Sequence, residues 1–148
     1  MMKWLSFFFP RKKTRSLQPA GSTYDLQAIY QDLKVRYFPA ECTIGWAPSR
    51  AKRFRSITFG TYNWRTGQIR INRLLDDPDV PRYFVEFIVY HEMLHAVCPP
   101  KRDSAGRCRF HTAEFRMKER EFPHFEAAKE WEKISLNFFK KRKSHGRS

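Results

Sequence analysis

The chain has 148 residues, 41% hydrophobic and 16% aromatic, enough to bury one ordinary core and too apolar for a disordered segment. Its net charge of +14 is uneven: residues 1–24 hold five Lys/Arg, residues 133–148 hold six, neither stretch has an acid, and the body between keeps 18 basic against 15 acidic residues. Cys42, Cys98 and Cys108 show no CxxC spacing, which argues against a secreted disulfide framework and for a reducing compartment, cytoplasmic or nuclear/nucleoid-associated.

The chain begins with an aromatic run, Trp4, Leu5, Phe7, Phe8 and Phe9, broken at once by Arg11, Lys12 and Lys13. That run is far shorter than a membrane span, so residues 1–21 are expected to be a basic flexible leader, with no integral membrane segment. After a Pro-Ala-Gly-Ser linker, Leu26, Ile29, Tyr30, Leu33 and Tyr37 recur at helical spacing, and Pro39 closes that helix. A short strand is expected within residues 41–47. A hairpin follows, with strands near 56–62 and 68–72 around the turn Asn63-Trp64-Arg65-Thr66-Gly67.

Asp76 to Pro81 reads as a helix entrance, with an acidic residue near the cap and proline in the first turn. From Arg82 to Val97 the chain is apolar on nearly every side, the mark of a helix buried in the middle of a domain, and Cys98-Pro99-Pro100 stops it. Residues 101–110 form a basic loop, Thr112 caps a further helix, and Pro123 opens the last one, with Phe125, Ala128, Trp131 and Phe138 facing inward. The elements add up to one α+β domain over residues 22–139, a short antiparallel sheet on a central helix with flanking helices, and a basic tail over 140–148.

The central helix carries His91-Glu92-Met93-Leu94-His95. Chance makes an HExxH string from this composition in roughly one shuffle in a hundred, so its context matters. Residues four apart share a helix face, so His91 and His95 can bind one Zn²⁺ from one side, while Glu92 is turned towards the water on that metal as its base. A catalytic zinc takes three protein ligands and leaves one position open. His111, at the start of the next helix, is the favoured third ligand, and Glu114, one turn further on, is its rival.

This ordered set resembles the SprT-like (Spartan) zinc metalloprotease family. The likeness runs over about residues 22–135: the leading helix, the hairpin, the HEMLHA string, and His111 followed by Glu114 and Phe115, then Phe122-Pro123. Thr112 stands where the family commonly has glycine, and the cysteines here do not supply the zinc ribbon that many members carry. The resemblance implies a small zincin-like fold, one zinc held by His91, His95 and His111, and Glu92 as catalytic base. It also implies proteolysis linked to DNA, with DNA–protein crosslinks as substrates.

The basic tails are expected to bring DNA to the protein with strong salt dependence and little sequence preference. Arg50, Lys52, Arg53, Arg55 and Arg65, interleaved with Trp46, Tyr62 and Trp64, are the candidate nucleic-acid contacts within the domain. Two other readings remain open at this stage, a non-catalytic zinc-containing DNA-binding adaptor and a general peptidase with no DNA link.

Overall fold

The computed structural model describes residues 16–48 and 55–145. Helix α1 (Leu26–Arg36) starts where the Asp25 carboxylate accepts the amides of Gln27 and Ala28, and it buries the stripe Leu26, Ile29, Tyr30 and Leu33. The Tyr30 hydroxyl donates to the Ala40 carbonyl and accepts from the Cys42 amide, which clamps the turn into β1 (Thr43–Ala47). Strands β2 (Gly60–Asn63) and β3 (Gln68–Asn72) form the expected hairpin around Gly67, whose φ of 67° suits glycine alone.

The sheet order is β1-β3-β2, with β2 antiparallel to β3 but β1 parallel to it. The sheet is therefore mixed, where a purely antiparallel one was expected. The reason is that the chain leaves β1 and crosses to the far edge before returning through β3. Ile44, Trp46, Ile69 and Ile71 point into the core. Trp46 is 2% exposed and so is a packing residue, not a nucleic-acid contact.

A short 3-10 turn (Arg73–Leu75) leads to α2 (Arg82–Val97), on which α1, β2, β3 and the two later helices pack. Pro81 stands at its N-cap with no side-chain cap, so the acidic cap expected there is absent. Phe84, Val85, Phe87, Ile88, Val89, Met93 and Leu94 are all buried, against α1, β2, β3 and the two later helices. Each such side chain contributes roughly 1.5–3 kcal/mol by leaving water. A two-strand ribbon, β4 (Lys101–Arg102) with β5 (Cys108–Arg109), turns the chain back through Gly106, at φ 76°. Helix α3 (Ala113–Arg120) is capped by the Thr112 hydroxyl, which accepts the Phe115 amide, and α4 (Phe125–His145) closes the core with Ala128, Trp131 and Phe139.

Both ends of the domain extend further than the sequence suggested. Leu17 lies so close to Gly45 that a Cβ there would sit 2.2 Å from the Leu17 Cβ, and the Gln18 carbonyl accepts the Trp46 amide, so the segment from residue 16 covers the outer edge of β1. The last helix continues through residues 140–145, and Arg142 pairs with the carboxylates of Asp77 and Asp79. Among the described residues, no helix is long and apolar enough to cross a membrane.

Asp76 joins the two halves of the chain. Its carboxylate accepts the amides of Ser22, Thr23 and Tyr24 at 2.7, 2.8 and 3.0 Å, and a Cβ on Gly21 would lie 2.5 Å from it. Burial would raise this carboxyl, but the three amide bonds outweigh that and hold it below the usual aspartate value of 3.8. Because the folded value is depressed, the contribution is full above pH 3.8 and is lost as pH falls through the folded value. Asp76→Ala is expected to destabilise the domain by about 1–2 kcal/mol at pH 7. Urea melts should show the gap from the parent protein narrowing below pH 3.8.

Candidate metal centre

The polar positions of α2 collect on one stretch of its surface. His91 and His95 stand one turn apart, and the loop after β5 brings His111 against them just before the Thr112 cap. The three ring centroids are 5.0–5.1 Å apart, and one nitrogen from each ring lies within 4.8 Å of the other two. Phe115, fully buried, packs beneath all three at 4.7–5.0 Å and sets their spacing from below.

Burial, with repulsion from His91 and His111, pushes His95 down to about 4, and burial also lowers His111. Both are neutral imidazoles near pH 7, so each offers a lone pair. His95 Nδ1 is buried with no hydrogen-bond partner, so the protein alone does not satisfy that ring. Three imidazoles facing one point, with a cleft on the open side, suit a divalent metal ion, and these residues can hold one.

Glu119 joins the site without having been among the expected residues. Its Oε1 lies 2.7 Å from His91 Nδ1, between α3 and α2. Burial would raise the Glu119 carboxyl, but the bond from His91 and the nearby Lys129 charge hold it below the usual glutamate range. A carboxylate can only accept, so His91 Nδ1 carries the proton and Nε2 is left as the donor to a metal. The available signal was spacing: Glu119 follows the buried Phe115 by four residues and so shares its face of α3.

Glu92 is 5% exposed and lies beneath the edge strand β2. Burial pushes its carboxyl up to about 7, with His91 opposing the rise. The strand passes so near that a Cβ on Gly60 would come within 2.8 Å of Glu92 Cγ and Oε1. Any side chain there would press on Glu92 and Ile88. Two residues on, Tyr62 stacks over His95 at 6.5 Å, so alternate residues of β2 cover successive polar positions of the helix.

Two clefts meet over Gly60, His91 and Glu92. One, of about 290 Å³, runs past Ile57, Phe87 and Ile88 to Glu119, Lys129 and Glu132. The other, of about 420 Å³, runs past His95 and His111 to Tyr62, Trp64 and Phe110.

Glu114, the rival ligand, is exposed and faces Lys118 and Lys101 at 3.6 and 4.0 Å, and it is not among the metal-holding group. Of the candidate nucleic-acid contacts, Arg55 and Arg65 are exposed at the surface, while Arg50, Lys52 and Arg53 lie outside the described residues. The ribbon beside His111 adds exposed Lys101, Arg102, Arg107 and Arg109, with Asp103 accepting from the last two. Cys98 is buried, Cys108 is exposed, and both are free thiols.

The sequence model of the SprT-like family matches residues 26–133, from the start of α1 well into α4. No curated protein and no solved structure matches the chain.

Glu119→Gln is expected to weaken metal binding about ten- to a hundredfold, by loosening the His91 ring while leaving three nitrogen ligands in place. Competition with a chromogenic chelator measures this, and an unchanged affinity would remove Glu119 from the centre. Circular dichroism should show the same helix content as the parent.

Proposed function

The chain belongs to the SprT-like family, a metalloprotease-type domain, and on that footing we propose that it is a zinc-dependent endopeptidase acting on DNA-associated or DNA-crosslinked proteins. The observation that carries this reading is the convergence of His91, His95 and His111 beside the buried Glu92, at the floor of an open groove.

Zinc held by the three histidines would supply Lewis acidity, polarising a substrate carbonyl and making a water acidic near neutral pH. The residues of the chain do the rest. Glu92 takes the proton of the attacking water and later returns it to the leaving amine. Its place under Gly60 keeps the carboxylate out of bulk solvent and aimed into the groove. Glu119 holds His91 in one tautomer. Among the described residues strand β2 is at the edge of its sheet, and an extended peptide added beside it would be placed by backbone hydrogen bonds without demand for a particular side chain.

The basic surface supports the DNA part of the proposal. Arg55, Arg65 and the ribbon of Lys101, Arg102, Arg107 and Arg109 are exposed on the domain, and the two basic ends of the chain add to them. Such a surface binds polyanions through phosphate contacts, which keeps the groove close to proteins carried on the same strand. Cys98 and Cys108, both free thiols, fit a reducing compartment.

Purified protein is expected to hold one zinc per chain, lost in His91→Ala, His95→Ala and His111→Ala and kept in Glu114→Ala. Glu92→Gln should keep the zinc and lose about 10²- to 10⁴-fold in cleavage of a DNA-bound protein. Plasma emission spectrometry and gel assays read the two. Undiminished cleavage by Glu92→Gln would sink the role given to that residue.

A further inference from the structure

The groove is not alike on its two sides. Past Glu92 it ends among charges, Glu119, Lys129 and Glu132. Past His95 it ends among aromatic rings. Trp64 and Phe110 are 41% and 45% exposed, and their rings lie 6.4 Å apart across the mouth of the cleft. Trp64 also meets Tyr62 edge-on at 4.9 Å and His95 at 5.9 Å. Two loops with no other reason to meet, the β2–β3 turn and the segment before His111, thus place exposed aromatic surface beside the same metal-holding histidine.

We propose that Tyr62, Trp64 and Phe110 form a specificity subsite that takes a bulky apolar side chain of the substrate, on the His95 side of the scissile bond. The inference rests on the endopeptidase reading and adds to it the residue type that the enzyme selects. Three arguments favour this occupant over a nucleic-acid base. The rings line the cleft that holds His91, Glu92, His95 and His111, so whatever stacks there occupies the path of the peptide. The cleft, at about 420 Å³, is in the range of pockets that enclose a compact ligand group. An extended chain lying along β2 alternates its side chains, so one of them is directed towards the helix near Tyr62 while the amide beside it lies over Glu92. Aromatic walls prefer an apolar or aromatic guest, because both surfaces leave water together.

The test uses full-length protein carrying Glu92→Gln, so that peptides bind without being cut. Two labelled peptides differing only in Phe against Ala at one position are titrated by fluorescence anisotropy, with the varied position moved along the peptide. The Phe peptide is expected to bind about tenfold tighter at one register only. Adding Trp64→Ala or Phe110→Ala should abolish that difference, Trp64→Phe should restore most of it, and zinc content and melting temperature should not move. Equal binding of the two peptides, or discrimination that survives both alanine variants, overturns the proposal. So does a result in which Trp64→Ala weakens binding of an oligothymidylate and leaves peptide discrimination intact. If discrimination is found and the unmodified protein cleaves nothing, the subsite stands and the endopeptidase reading falls. If the unmodified protein cleaves without regard to apolar residues, the subsite falls and the endopeptidase reading stands.

Discussion

Helix α2 has almost no face turned to water, and the rest of the domain is arranged to cover it. Sheet, α1, α3 and α4 each take a side. Covering a helix in this way would bury its polar groups at a cost of several kcal/mol unless each found a partner. The Tyr90 hydroxyl finds the Lys118 carbonyl at 2.7 Å, and His91 finds Glu119. Glu92 and one nitrogen of His95 find none among the described residues. Both residues line the cleft, where something that enters from outside can meet them. The same packing that stabilises the domain therefore defines its reactive surface.

Glu119 illustrates how little separates fold from site. It belongs to a helix whose packing residue is Phe115, and Phe115 is also the floor on which the three imidazoles rest. One short amphipathic helix thus supports the three imidazoles from below and orients one of them from the side. The Thr112 cap fixes where that helix begins and, with it, the position of His111.

Much of this was legible in the sequence, for reasons that particular residues make plain. The bounds of α2 and β3 follow from a largely apolar run closed by two prolines and from the alternation around Ile69 and Ile71. The pair His91 and His95 followed from helical spacing, and the length of the returning loop favoured His111 over its rival Glu114 as the third residue. What pattern could not show was pairing across long separations. That β1 runs parallel to β3, that Leu17 packs on Gly45, and that Asp76 caps a loop more than fifty residues away depend on which surfaces meet, and no local periodicity records it. The same holds for the basic C-terminal stretch: the last helix runs on to His145 and Arg142 is engaged with Asp77 and Asp79, so part of the positive charge is held within the fold. For an exposed pair of this kind the gain in stability is small.

Gly60 contributes no charge, no hydrogen-bonding side chain and no apolar area, yet the clearance between β2 and Glu92 depends on its having nothing beyond Cα. In a catalogue of natural variants, a change to alanine at this position would look benign by every measure of chemical similarity. It would nonetheless bring a methyl group within 2.8 Å of the Glu92 carboxylate. Sensitivity to substitution here belongs to an empty volume, and it would be overlooked by any survey that ranks positions by the groups they carry.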